Sequence, residues 1–168
     1  MRRTVELGFL LALALILSYV ESLIPFSFGI PGIRLGLPNL IVLLLLYDGA
    51  AGAREALLVN ALRIVLAGFL FSNLYTILYA LAGAAFSFLA MLMGKKCGRF
   101  SMIGVSVLGG VFHNIGQMIV AMLVVETFAV TYYAPFLIVA GTVTGALLGF
   151  AGMELVPYLR RMSSRSLP

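Results

Sequence analysis

The chain has 168 residues, of which 62% are hydrophobic and only 10% charged, more apolar side chain than a water-soluble domain of this size can hide. Its formal net charge of +5 does not point to nucleic acid, because the basic residues cluster at the ends of apolar segments, where they set membrane orientation. A single cysteine, Cys97, excludes an intramolecular disulfide and a cysteine metal cluster, and the expectation is an integral membrane protein with no cofactor and no metal site.

Arg2-Arg3 precede an apolar run over residues 5–24. The run looks like a secretory signal, but no small-x-small cleavage site with polar sequence follows and further apolar runs do, so it reads as a retained first transmembrane helix closed by Glu21 and Ser22. Gly8 and Ala12 lie four residues apart and form a small-residue stripe of the kind that packs against another helix, within the chain or in a partner. Residues 25 to 39 hold three prolines and three glycines and cannot continue as a regular helix. Because apolar residues persist there, 25–37 reads as an interfacial connector or a lid-like loop, with Arg34 as its charge.

A short second span is expected over 38–47, with Pro38 suited to a first helical turn and Asp48-Gly49 ending it. The third, 54–71, places Arg63 near the membrane midplane, and Ala56, Asn60, Arg63 and Ala67 share one face that should point inward. The Ser72-Asn73 turn leads to the fourth span, 74–93, with Tyr75 and Tyr79 one turn apart near its start. After a basic turn at 95–99 come the fifth span, 102–125, a short loop and the sixth span, 134–158. In the last, Gly141, Gly145 and Gly149 form a packing stripe. The fold class is thus an all-α integral membrane protein of six transmembrane helices in a single domain, residues 1–168.

Within the fifth span, the run from Gly109 to Gln117 sets His113, Asn114 and Gln117 about one turn apart at the middle of the hydrocarbon layer. His113 is the sole histidine, too few for a haem ligand pair. Polar side chains at that depth either tie helices together or line a cavity for a solute; the second midplane charge, Arg63, favours the cavity. With the N-terminus in the cytoplasm, Arg2, Arg3, Arg54, Lys95, Lys96, Arg99, Arg160, Arg161 and Arg165 all lie inside and Arg34 outside. Both termini are then cytoplasmic in a multi-pass plasma-membrane protein. Glu21, Arg34, Asn39, Asn73, Tyr75 and Tyr79 fall toward the outer side, above Asn60, Arg63, His113, Asn114 and Gln117. These eleven are the candidate substrate-binding residues of an outward-facing pocket.

Several stretches carry a resemblance: Ser18 to Asn39, Ala61-Leu62-Arg63 with Phe71-Ser72-Asn73-Leu74, and Gly104-Val105-Ser106 through His113-Asn114-Ile115-Gly116-Gln117. Together they resemble the Gx transporter family, whose members are often labelled heptaprenyl diphosphate synthase component I. That family is similar to the S components of energy-coupling factor transporters, small six-helix membrane proteins with outward-facing ligand sites. The resemblance implies a small organic solute as ligand, with a coupling transmembrane subunit and ATPases as partners. It also implies that the stripe bearing Gly8 and Ala12 docks the coupling subunit.

The synthase label conflicts with the residues. Prenyl diphosphate synthases hold magnesium through aspartate-rich motifs, since a hard cation needs several oxygen ligands; here Asp48 is the one aspartate. No catalytic residues and no enzyme activity are expected. Nor does the chain contain Gly-x-x-x-x-Gly-Lys-Ser/Thr, so active uptake needs separate ATPases. The reading is a membrane subunit that captures a vitamin, cofactor or precursor from outside. The alternative is a non-transporting membrane subunit of an isoprenoid/quinone or redox assembly, in which the polar centre organises helices or meets a quinone headgroup.

Overall fold

The computed structural model describes residues 2–24, 36–48 and 52–165, with the side chains of 3–24, 36–48 and 52–161. These residues form α1 (Arg2–Leu23), α2 (Asn39–Tyr47), α3 (Ala53–Phe71), α4 (Leu74–Cys97), α5 (Met102–Val125), a 3-10 segment (Phe128–Tyr133) and α6 (Ala134–Arg165). The segment expected as a lid lies mostly outside the described residues, as does Arg34. Four helices, α1, α4, α5 and α6, are long and apolar enough to cross a membrane. The 19-residue α3 carries Arg54, Glu55 and Arg63. At nine residues, α2 rises only ~13 Å, under half of a ~30 Å hydrocarbon layer. The second expected span is therefore a half-length helix buried among the others.

Burial explains why such a short helix holds. Ile41 to Leu46 are each at most 3% exposed, and a helix apolar on all sides belongs inside a bundle. Around it, large apolar side chains such as Phe9, Leu58, Phe69, Met93, Leu123 and Leu147 are exposed, an outer surface suited to lipid and not to water.

Helix ends follow local chemistry. The Asn73 side chain caps α4 by accepting from Thr76 N–H at 3.0 Å, and Ser101 caps α5 by accepting from Gly104 N–H at 3.2 Å. Gly98, at φ +69°, ends α4 in the left-handed conformation that suits glycine.

One end of the bundle is basic and tightly tied. Arg3 Nη2 stands 3.0 Å from Glu55 and its Nη1 3.6 Å from Asp48. The carbonyls that α2 leaves unpaired at its C-terminus are met by cations: Lys95 donates to Leu46 O, and Arg160 Nη2 donates to Tyr47 O at 2.7 Å. Since α1 begins at this end, α2 finishes there, α3 begins there and α4 finishes there, the order of the elements carries Glu21 and Asn73 to the opposite end.

α5 packs along both α4 and α6, and glycines set how closely. A Cβ built on Gly141 would lie 2.7 Å from Gly110 O, and one on Gly145 would lie 2.7 Å from Ser106 O. The Gly141, Gly145, Gly149 stripe is thus the face of α6 that meets α5 backbone to backbone. Gly8, by contrast, has nothing within 4 Å of such a Cβ. Gly141→Leu is expected to destabilise the detergent-solubilised protein by about 1–3 kcal/mol, the cost of overpacking, while Gly8→Leu leaves it unchanged. Thermal unfolding of the two variants against wild type checks the contrast.

Candidate functional site

Arg63 sits ten residues into α3, and burial leaves it 6% exposed. Its guanidinium donates from Nε and Nη2 to Asn60 Oδ1 at 3.2 and 2.8 Å, and from Nη1 to Ser18 Oγ at 3.1 Å. Asn60 is one turn away on the same helix, so the expected inward face of Ala56, Asn60, Arg63 and Ala67 is buried as a unit. Ser18, on α1, donates in turn to Ala14 O at 2.9 Å. Leu10, Ala14, Ser18 and Glu21, spaced by three or four, are the buried stripe of α1.

Glu21 is 6% exposed and its Oε1 accepts from the backbone N–H groups of Gly36 and Leu37, just before α2 begins. A carboxylate there secures the turn whose carbonyls accept the first N–H groups of α2, and it stands near the positive end of the helix dipole. Gly36 takes φ +83°, and a Cβ on it would come within 3.0 Å of both Asn39 Nδ2 and His113 Cδ2. Only glycine fits both demands, the left-handed backbone and the close approach.

On α5, His113 and Gln117 are one turn apart and almost fully buried, with His113 Nε2 3.0 Å from Gln117 Nε2. They fit because α4 presents Gly83: a Cβ there would lie 2.9 Å from His113 Nδ1 and from Gln117 Cγ. Arg63, Glu21, Gly36, His113, Gln117 and Thr76 together line one buried cavity of about 20 Å³. Five segments of the chain meet there, near the middle of α5 and away from the basic end. His113 Nδ1 and Asn39 Nδ2 are buried with no hydrogen-bond partner among the described residues. Unpaired polar atoms of this kind are rare in folded interiors and call for an explanation.

The structure brings together only part of the set expected from sequence. Glu21, Arg63, His113 and Gln117 line the cavity, Asn60 holds the Arg63 guanidinium, and Asn39 stands beside Gly36 at its wall. Asn73 acts one step removed, since its Oδ1 accepts from the hydroxyl of Thr76, a lining residue, at 3.0 Å. Three residues lie elsewhere. Tyr75 is 61% exposed, Tyr79 joins an apolar cluster with Ala121, Val130 and Leu137, and Asn114 turns to α6, donating to Leu137 O at 2.7 Å. Arg34 lies outside the described residues, and Gly8 and Ala12 are on the exposed face of α1.

Sequence reasoning missed Ser18, Gly36, Thr76 and Gly83. Ser18 was findable from its place on the stripe that ends in Glu21, and Thr76 from its distance of three residues from the capping Asn73. Gly83 was legible only as part of a small-residue packing face with Ala80, Ala84 and Ser87, and Gly36 gave no local signal, because what each accommodates comes from α5.

Among the described residues no three His, Cys, Asp or Glu side chains come together to hold a metal ion. What the arrangement offers is one guanidinium, one carboxylate, an imidazole and an amide around a small space that Ile64, Ala67 and Ala80 also line.

Comparison with known proteins adds one finding. The chain belongs to the family described as heptaprenyl diphosphate synthase component I, which it matches over residues 10–155. No curated protein and no solved structure matches it.

Substitutions at two left-handed glycines separate backbone cost from contact cost. Gly98→Ala, where nothing lies within 4 Å, is expected to cost only the left-handed penalty of about 1–2 kcal/mol. Gly36→Ala adds the displacement of His113 and Asn39, so its melting temperature should fall further than that of Gly98→Ala. Equal losses would show that the Gly36 contact is not tight.

Proposed function

Starting from membership of the heptaprenyl diphosphate synthase component I family, we propose that the chain is the solute-capturing membrane subunit of a multi-subunit uptake system resembling energy-coupling factor transporters. It takes a small organic solute, a vitamin, cofactor or precursor, from outside the plasma membrane. The chain crosses the membrane six times, and both termini face the cytoplasm. The family's description as a component supports work alongside other subunits.

The observation that carries this reading is the meeting of Arg63, Glu21 and His113 around one buried cavity. Charged groups in hydrocarbon are costly and usually mark a pathway or a ligand site. A bundle that needed only packing would be served as well by apolar side chains. Arg63 is suited to a carboxylate, phosphate or carbonyl on the solute, and His113 and Asn39 each keep one buried polar atom unpaired.

Volume sets a condition on entry. About 20 Å³ just exceeds the ~10–15 Å³ that one water needs, so a vitamin-sized solute enters only if the turn from Gly36 to Asn39 shifts. The bonds from Gly36 and Leu37 N–H to Glu21 are what that shift breaks. A synthase role for the chain alone finds no support in its carboxylates: Asp48 lies at the basic end, 3.6 Å from Arg3.

Two measurements test the proposal. Mass spectrometry of small molecules released from gently purified protein should find a solute in wild type that Arg63→Met fails to retain, its affinity lower by about 1–3 kcal/mol, the cost of leaving a buried polar partner unpaired. A well-folded Arg63→Met protein that keeps the solute would remove Arg63 from the site. Orientation is read from Cys97, the sole cysteine and an exposed one. In intact cells an impermeant thiol reagent should leave it unlabelled until the membrane is opened, and labelling from outside would reverse the topology.

A further inference from the structure

A groove of about 540 Å³ lies on the outside of the α4–α5 pair, walled by Phe86, Leu89, Met93, Phe100, Leu108 and Phe112. It shares none of these residues with the polar cavity. At one end it reaches Cys97 and Phe100 in the basic turn; at the other it reaches Phe112, next to His113 in the middle of α5.

Its length and charge define what fits. Phe86 and Cys97 are eleven residues apart on α4, a rise of ~16 Å, which is about half of a ~30 Å hydrocarbon layer. The groove therefore runs the depth of one leaflet, from interface to midplane. Lys95 and Lys96 divide at its mouth. Lys95 follows the buried Met91 by one turn and points inward to Leu46 O. Lys96 follows Leu89 by seven residues, two helical turns, and so falls on the groove side.

Arg99 stands next to Phe100 in the same exposed turn. Neither Lys96 nor Arg99 is paired with a carboxylate among the described residues, and residues 74–125 contain no Asp or Glu at all. Two unbalanced cations at the interface above an apolar channel one leaflet deep complement an anionic headgroup carried on a hydrocarbon tail.

We infer that this groove is a binding site for one acyl chain of an anionic phospholipid, with its phosphate held by Lys96 and Arg99. The inference is independent of what occupies the polar cavity. It predicts that the lipid sits on the α4–α5 face and on the same leaflet as the basic end.

The chain has no tryptophan, so a single introduced one reports its own surroundings. Full-length Phe112→Trp and Phe86→Trp proteins are reconstituted in phosphatidylcholine vesicles. Brominated-tail phosphatidylglycerol or brominated-tail phosphatidylcholine is added as an equal minority component. Phosphatidylglycerol should quench at least about threefold more strongly than phosphatidylcholine at both positions, as two interfacial cations favour an anionic lipid.

The excess should vanish in Lys96→Gln/Arg99→Gln proteins and be absent at Leu147→Trp, on the exposed face of α6. Equal quenching by the two lipids, an excess that survives loss of both cations, or the same excess at position 147 would overturn the assignment. Two reporters in the groove guard against one substitution disturbing the fold.

Discussion

Arg63 has to be satisfied inside an apolar helical bundle, and the elements around it are arranged by that requirement. A guanidinium carries five donors and stays charged, so it needs acceptors from more than one direction. Asn60, one turn back, supplies one on its own helix, and Ser18 supplies another from α1. Ser18 can do so because Ala14 and Leu10 continue the same buried stripe and keep α1 against α3. Glu21, one turn further along α1, completes the polar layer by reaching the segment that starts α2.

That contact makes α2 intelligible. A nine-residue helix leaves donors at its start and acceptors at its finish that need partners. Glu21 holds the N–H groups of Gly36 and Leu37 in the turn that leads into it, whose carbonyls meet its first donors, and Lys95 and Arg160 meet the acceptors at the other end. The helix itself is fixed by apolar burial on every side. It thus connects the polar cavity to the basic end, so a change in how Glu21 holds Gly36 and Leu37 acts on an element whose far end is tied by cations. The glycines between α5 and α6 bring the two backbones into contact, while Gly83, Gly94 and Gly109 between α4 and α5 receive side chains from the facing helix.

The membrane class and helical character were legible in composition, since so apolar a chain has no soluble alternative. Helix starts were legible where capping chemistry is local, as at Asn73 and Ser101, whereas α4 runs on to Cys97 past its expected end at 93. The inward face of α3 was legible from the spacing of Asn60 and Arg63 alone. Less was visible where a residue's role depends on a distant segment. Asn114 is adjacent to His113 in sequence but points about 100° around the helix, toward α6, which a list of polar residues does not reveal. Tyr79 carries a polar tip yet packs with apolar partners from α5, the 3-10 segment and α6. The half-length of α2 was legible, but the anchoring of both its ends was not, because the residues that secure it come from α1, α4 and α6.

The central claim is that the polar layer around Arg63 exists to hold a solute and not merely to join α1 to α3. A high-resolution experimental structure of the protein purified gently from its native membrane tests it directly. The account predicts density for an organic molecule bonded to Arg63, with the turn from Gly36 to Asn39 displaced from Glu21 to admit it. Density for no more than a single water between Glu21, Arg63 and His113, with Gly36 and Leu37 still on Glu21 in protein that copurifies with its partner subunits, would contradict it.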